Sequence, residues 1–119
     1  MDRLSVVIKK NQKILSEYIQ DLAQRYNQAL GNKMIYQGVI DTKNNHFQLV
    51  KLGWIDDQFI YSVLLHLDIN SETGNIWIQQ NNTEILLEND LKKFDISKKQ
   101  LVLGFRPESM RKYSEFAVA

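Results

Sequence analysis

With 119 residues the chain is long enough for one hydrophobic core and too short for two, so residues 1–119 are read as a single domain. A hydrophobic share of 44% and a charged share of 24% mark an ordinary globular composition, and the lack of cysteine excludes a disulfide framework and cysteine-based metal sites. The formal charge of +1 divides into +3 over residues 1–33, −5 over 34–89 and +3 over 90–119, without the clustered basic face of a direct nucleic-acid binder.

Residues 4–30 read as one long helix. Leu4, Ile8, Leu15, Tyr18, Leu22 and Ala29 recur at helical spacing, and Val7, Ile14, Ile19 and Tyr26 widen the stripe. Lys9, Lys10, Lys13, Glu17, Gln20 and Gln24 take the opposite side, and Gly31 offers a left-handed stop. Such a helix spans roughly 40 Å, the full width of a domain this size. Its stripe is read as core packing.

Four strands follow: Ile35–Thr42, His46–Ile55, Phe59–Ile69 and Asn75–Gln80. Turns at Lys43–Asn45, Asp56–Asp57 and Asn70–Gly74 separate them. Turns this short make antiparallel neighbours, so the expectation is a meander. On the third strand the period of two puts Phe59, Tyr61, Val63, Leu65, Leu67 and Ile69 on one apolar face. Ile60, Ser62, Leu64, His66 and Asp68 share the other. Pairing Ile69 with Ile76 and Leu67 with Ile78 matches apolar to apolar and sets His66 near Gln79 and Asp68 near Trp77. Val50, Leu52 and Trp54 fit the apolar face, which the long helix should cover. The second face then carries Phe47, Leu49, Leu64 and Trp77 beside His66, Asp68 and Gln79. That mixture needs a cover: the C-terminal segment, a second copy, or another protein.

Beyond the sheet, Asn81, Asn82 or Thr83 is expected to cap a helix running to about Phe94, and Asn81 with Glu84 has capping-box spacing. Ser97 should cap a short turn before Leu101–Phe105. Pro107 suits the first turn of a last helix, Pro107–Tyr113. The tail 114–119 is apolar enough to dock. The fold class is thus α+β, with a long N-terminal helix on an antiparallel β-meander and short C-terminal helices.

Few residues offer chemistry. The serines lack a nucleophile-elbow context, and no glycine-rich phosphate loop is present. His66 and Asp68, two apart on one strand face, are a candidate zinc pair or base–orienter pair. A catalytic zinc needs three protein ligands, and the expected register puts His46, the one other histidine, on the opposite face. Mutual satisfaction of His66 and Asp68 is the favoured reading, so no catalytic residue, metal or cofactor is assigned. Trp54 and Trp77 are aromatic candidates for a core or an interface. No apolar run resembles a signal peptide or a membrane span, and the cysteine-free composition suits a reducing compartment, so a cytoplasmic location is expected.

Asp41-Thr42, His46-x-Gln48-Leu49-Val50, Gly53-Trp54, His66-x-Asp68, Gly74-x-Ile76-Trp77-Ile78-Gln79, Thr83-Glu84, Val102-Leu103-Gly104-Phe105, Pro107, Arg111 and Phe116-Ala117-Val118 occur in a fixed order. That order resembles the XisI family, the fdxN-element excision controlling factors of cyanobacteria. The likeness is dense from Asp41 onward and mostly compositional in the N-terminal helix. Arg106 departs from it, standing where relatives often carry His. The resemblance implies a role in controlling programmed DNA-element excision by a separate recombinase, through a companion of the XisH family. It brings no catalytic residues. The expected function is therefore a non-catalytic regulatory protein, with His66, Asp68, Trp77, Gln79 and Arg111 as candidate partner contacts. Uncovered apolar surface also suggests a homodimer. The alternatives are a DNA-binding accessory factor and a metal-dependent enzyme centred on His66 and Asp68.

Overall fold

The computed structural model describes residues 2–29, 31 and 33–119. Helix α1 (Arg3–Asn27) is followed by strands β1 (Ile35–Asp41), β2 (His46–Ile55), β3 (Gln58–Ile69) and β4 (Ile76–Asn81), then α2 (Leu87–Lys92), β5 (Leu101–Leu103) and α3 (Glu108–Arg111). Asp2 starts α1 by accepting a hydrogen bond from the Ser5 backbone N–H at 2.7 Å. The helix stops three residues short of the expected end, with Gln28 as its C-cap. Leu30 lies outside the described residues. Gly31 takes the left-handed conformation, φ 73°.

The five strands lie in sequence order in one sheet. The first four form the expected antiparallel meander, and Ile69 faces Ile76 and Leu67 faces Ile78 as expected. The Leu101–Leu103 run adds a fifth strand, parallel to β4. Parallel pairing needs a long crossover, and the segment from Asn82 to Gln100, with α2 in it, supplies one. That helix begins later than expected. Asn81 still belongs to β4, and its side chain accepts from the Thr83 N–H, while Thr83 Oγ1 accepts from the Ile85 N–H. These groups shape a turn, and α2 starts after Leu86 without a side-chain cap. Ser97 and Gln100 form a capping box on the short 3-10 turn before β5. Pro107 is the N-cap of α3, which is shorter than expected. The tail docks: Ala117 bridges Val102, and its N–H donates to the Leu101 carbonyl at 2.8 Å.

The face assignment differs from the sequence expectation, and a single β-bulge is the reason. From the Asp56–Asp57 turn the β2–β3 pairing runs regularly from Ile55 opposite Gln58 to Val50 opposite Val63. There it shifts, so Leu49 faces Leu65 and Leu64 is the extra residue. A one-residue shift exchanges the faces. Phe47 and Leu49, not Val50, Leu52 and Trp54, therefore join Leu65, Leu67 and Ile69 under α1, and both are fully buried. Leu64 packs against the same core. Phe59, Tyr61 and Val63 are carried to the second face. Leu87, Leu91, Ile96, Leu101 and Leu103 close the core beside α1.

Candidate functional site

The bulge brings His46 onto the same face as His66 and Asp68, correcting the expectation that it lies opposite. His46 on β2 pairs with Asp68 on β3. Its Nδ1 lies 2.7 Å from Asp68 Oδ1, and His66 Nε2 lies 2.8 Å from the same oxygen. Asp68 Oδ2 accepts from Gln79 Nε2 at 3.1 Å. Gln79 is the extra residue of a second bulge, where the β3–β4 pairing shifts between His66 and Leu67. Gln48, opposite His66, places its amide 3.3 Å from His66 Nδ1. The mutual pairing of His66 and Asp68 is thus present, within a larger cluster that includes His46 and Gln48.

Charge in the cluster follows from these contacts. The hydrogen bond from His46 to Asp68 pushes the imidazole pKa up. Partial burial acts to raise the Asp68 carboxyl, but hydrogen bonds from His46, His66 and Gln79 together hold it below its ordinary value. Next to the cluster lies a shallow depression of about 380 Å³ lined by Val39, Asp41, His46, Gln48 and His66.

Trp77 and Arg111 sit to one side. The Arg111 guanidinium lies 4.8 Å over the Trp77 ring, while its Nε and an NH group donate to the Arg106 and Val118 carbonyls. Trp77 Nε1 is buried with no hydrogen-bond partner among the described residues. Gly104 lies in close approach to Trp77 and Gln79. A Cβ there would come within 2.5 Å of Gln79 Oε1 and 3.0 Å of Trp77 Cε3.

On the same face, toward the Asp56–Asp57 turn, the surface is apolar. Trp54, Phe59 and Tyr61 are 61%, 48% and 65% exposed, so they form an open aromatic row. Trp54 and Phe59 have ring centroids 5.0 Å apart. Ile35, opposite Leu52, is exposed near the row, and exposed Val39, opposite Gln48, lines the depression at the histidines. From the sequence, His46 is expected on the opposite face and Trp54, Phe59 and Tyr61 under the helix, with no role for Gln48 in the site; the structure reverses both placements. Their signal was a change of phase on β2, apolar at Phe47 and Leu49, then at Val50, Leu52 and Trp54.

The long helix, five-stranded sheet and short C-terminal helices define a small α+β protein with one sheet face packed and one largely open. The model of the XisI protein family matches residues 1–118, and the chain belongs to that family. A XisI-like protein from Anabaena variabilis ATCC 29413 is similar with TM-score 0.82 and 28% identity, over 94% of this chain and 99% of that one. The fdxN element excision controlling factor XisI from Anabaena variabilis ATCC 29413 is similar with TM-score 0.71 and 25% identity, over 99% of this chain and all of that one. No curated protein matches the chain. No helix among the described residues is long and apolar enough to cross a membrane.

Proposed function

We propose that the chain is a non-catalytic regulator of DNA-element excision that acts in the cytoplasm by gripping a XisH-like companion with its open sheet face. The observation that carries this reading is the exposed row Trp54, Phe59 and Tyr61 beside the hydrogen-bonded cluster of His66, Asp68 and Gln79. Aromatic anchors next to satisfied polar groups are the usual make-up of a protein interface. Trp77 and Arg111 border this face, held by each other and by the chain's own tail. The tail pairs along β5 and leaves the aromatic row open. Without the companion, the same apolar face favours a homodimer.

A direct DNA contact is the weaker reading, because its parts are divided. Lys9, Lys10 and Lys13 are exposed on α1, whose other side packs on the sheet, whereas Trp54 lies on the far face.

Co-purification with the XisH-like protein tests the proposal. A complex is expected at micromolar concentration, and Tyr61→Asp with Trp54→Asp should abolish it while circular dichroism is unchanged. Failure of the unaltered proteins to associate at that concentration would refute the reading. Affinity for DNA alone that falls steeply with salt would favour the accessory-factor alternative.

A further inference from the structure

We propose that His46, His66 and Asp68 form a binding site for a divalent transition-metal ion of the zinc type. The ligands would be His46 Nδ1, His66 Nε2 and one carboxylate oxygen of Asp68.

The geometry carries the argument. One ligand atom from each residue lies within 4.8 Å of the other two. A zinc ion about 2.0–2.2 Å from nitrogen and oxygen ligands separates them by about 3.3 Å in a tetrahedron. The Asp68 contacts of 2.7 and 2.8 Å need to open by about half an ångström, and the imidazoles need to draw together. The His46 side chain is half exposed and has room to turn. The set spans β2 and β3, so paired backbone fixes the separation of its two halves.

Protons also have somewhere to go. To ligate, each neutral imidazole carries its hydrogen on the other ring nitrogen. His46 Nε2 is then the protonated atom, on an exposed side chain that water can solvate. His66 Nδ1 is 3.3 Å from the Gln48 amide, whose oxygen accepts the hydrogen once the amide turns over. Asp68 keeps its second oxygen occupied by Gln79, the outer-shell hydrogen bond that orients a ligating carboxylate. Two imidazoles and one carboxylate suit zinc and its first-row neighbours and are poor ligands for magnesium or calcium. Three protein ligands on an open face leave one position for water or for a donor atom from another molecule. The ligands all come from this chain, so the site is independent of whether a companion is gripped.

The test is titration of Zn²⁺ and Co²⁺ into chain stripped by chelator and carrying no polyhistidine extension. One ion per chain is expected, with the visible Co²⁺ absorption of low coordination number, undiminished by millimolar Mg²⁺. His46→Ala and Asp68→Asn, each folded by circular dichroism, should weaken binding by more than the roughly 10–100-fold of an outer-shell loss, and Gln79→Ala by an amount within that range. No stoichiometric binding, or binding that survives both ligand substitutions, overturns the proposal. Should a variant not fold, NMR of the unaltered chain decides. Zn²⁺ must move the ring signals of both His46 and His66, and movement of fewer than both overturns it.

Discussion

The guanidinium of Arg111 stacks 4.8 Å over the indole of Trp77, so the last helix is fastened to the open sheet face by a cation on an aromatic ring. The same side chain holds the Arg106 and Val118 carbonyls. Arg111→Ala removes all three contacts and should lower stability by about 1–2 kcal/mol, since each is partly solvated. The urea midpoint should fall with an unchanged slope. Arg111→Lys keeps the charge but loses the planar fork, and should recover less than half of the loss. Full recovery by lysine would mean that charge alone fastens the tail.

Gly104 is required for space. A methyl group there meets Gln79 Oε1 at 2.5 Å and Trp77 Cε3 at 3.0 Å, so Gly104→Ala should cost about 1–3 kcal/mol as an overpacked site. It should also push Gln79 off Asp68. Gln79→Ala makes room, so the two substitutions together should cost less than the sum of each alone. Strict additivity in a chemical-unfolding cycle would show that Gly104 and Gln79 do not compete for space.

Tyr18 donates its phenol hydrogen to Asp90 at 2.6 Å and thereby ties α1 to α2. Burial pushes the phenol pKa up, and the neighbouring carboxylate adds to the shift by opposing a phenolate. The unfolded chain releases that proton near pH 10, roughly the ordinary tyrosine value. The folded state therefore keeps the proton longer. The contribution to stability is intact below about pH 10 and is lost as pH rises from there toward the folded value. Tyr18 should resist ionisation at 295 nm until circular dichroism reports unfolding. Tyr18→Phe should abolish that lag and cost about 1–2 kcal/mol at neutral pH.

Local patterns in the sequence carry most of the fold. The stripe from Leu4 to Tyr26, the two-residue turn at Asp56–Asp57 and the apolar match of Ile69 with Ile76 each act between near neighbours, and each matches the structure. Features set by tertiary packing were harder to read. β5 runs parallel to β4 after a crossover, which the Leu101–Leu103 run does not reveal on its own. The bulge at Leu64 depends on which alternation the core accepts. On β3 an unbroken apolar row from Phe59 to Ile69 looks like one face, yet α1 covers only its later half. Part of the candidate site, His66 with Asp68, follows from spacing along β3, whereas Gln79, expected opposite His66, reaches Asp68 from a bulge that pairs His66 with Gln80 instead. The place of His46 and Gln48 follows only once the bulge at Leu64 is placed.

That displacement of faces has a direct thermodynamic signature. Phe47 is fully buried in the core, whereas Trp54 is 61% exposed. Phe47→Ala should therefore cost about 3–5 kcal/mol, the loss of a large core ring with its cavity. Trp54→Ala removes only a surface contact with Phe59 and should cost less than about 1 kcal/mol. An unbulged hairpin predicts the reverse order, because it would turn Trp54 toward α1 and Phe47 to the outer face. Urea unfolding of the two variants separates the alternatives. If Trp54→Ala proved the more damaging, the register through Leu64 would be regular and His46 could not reach Asp68.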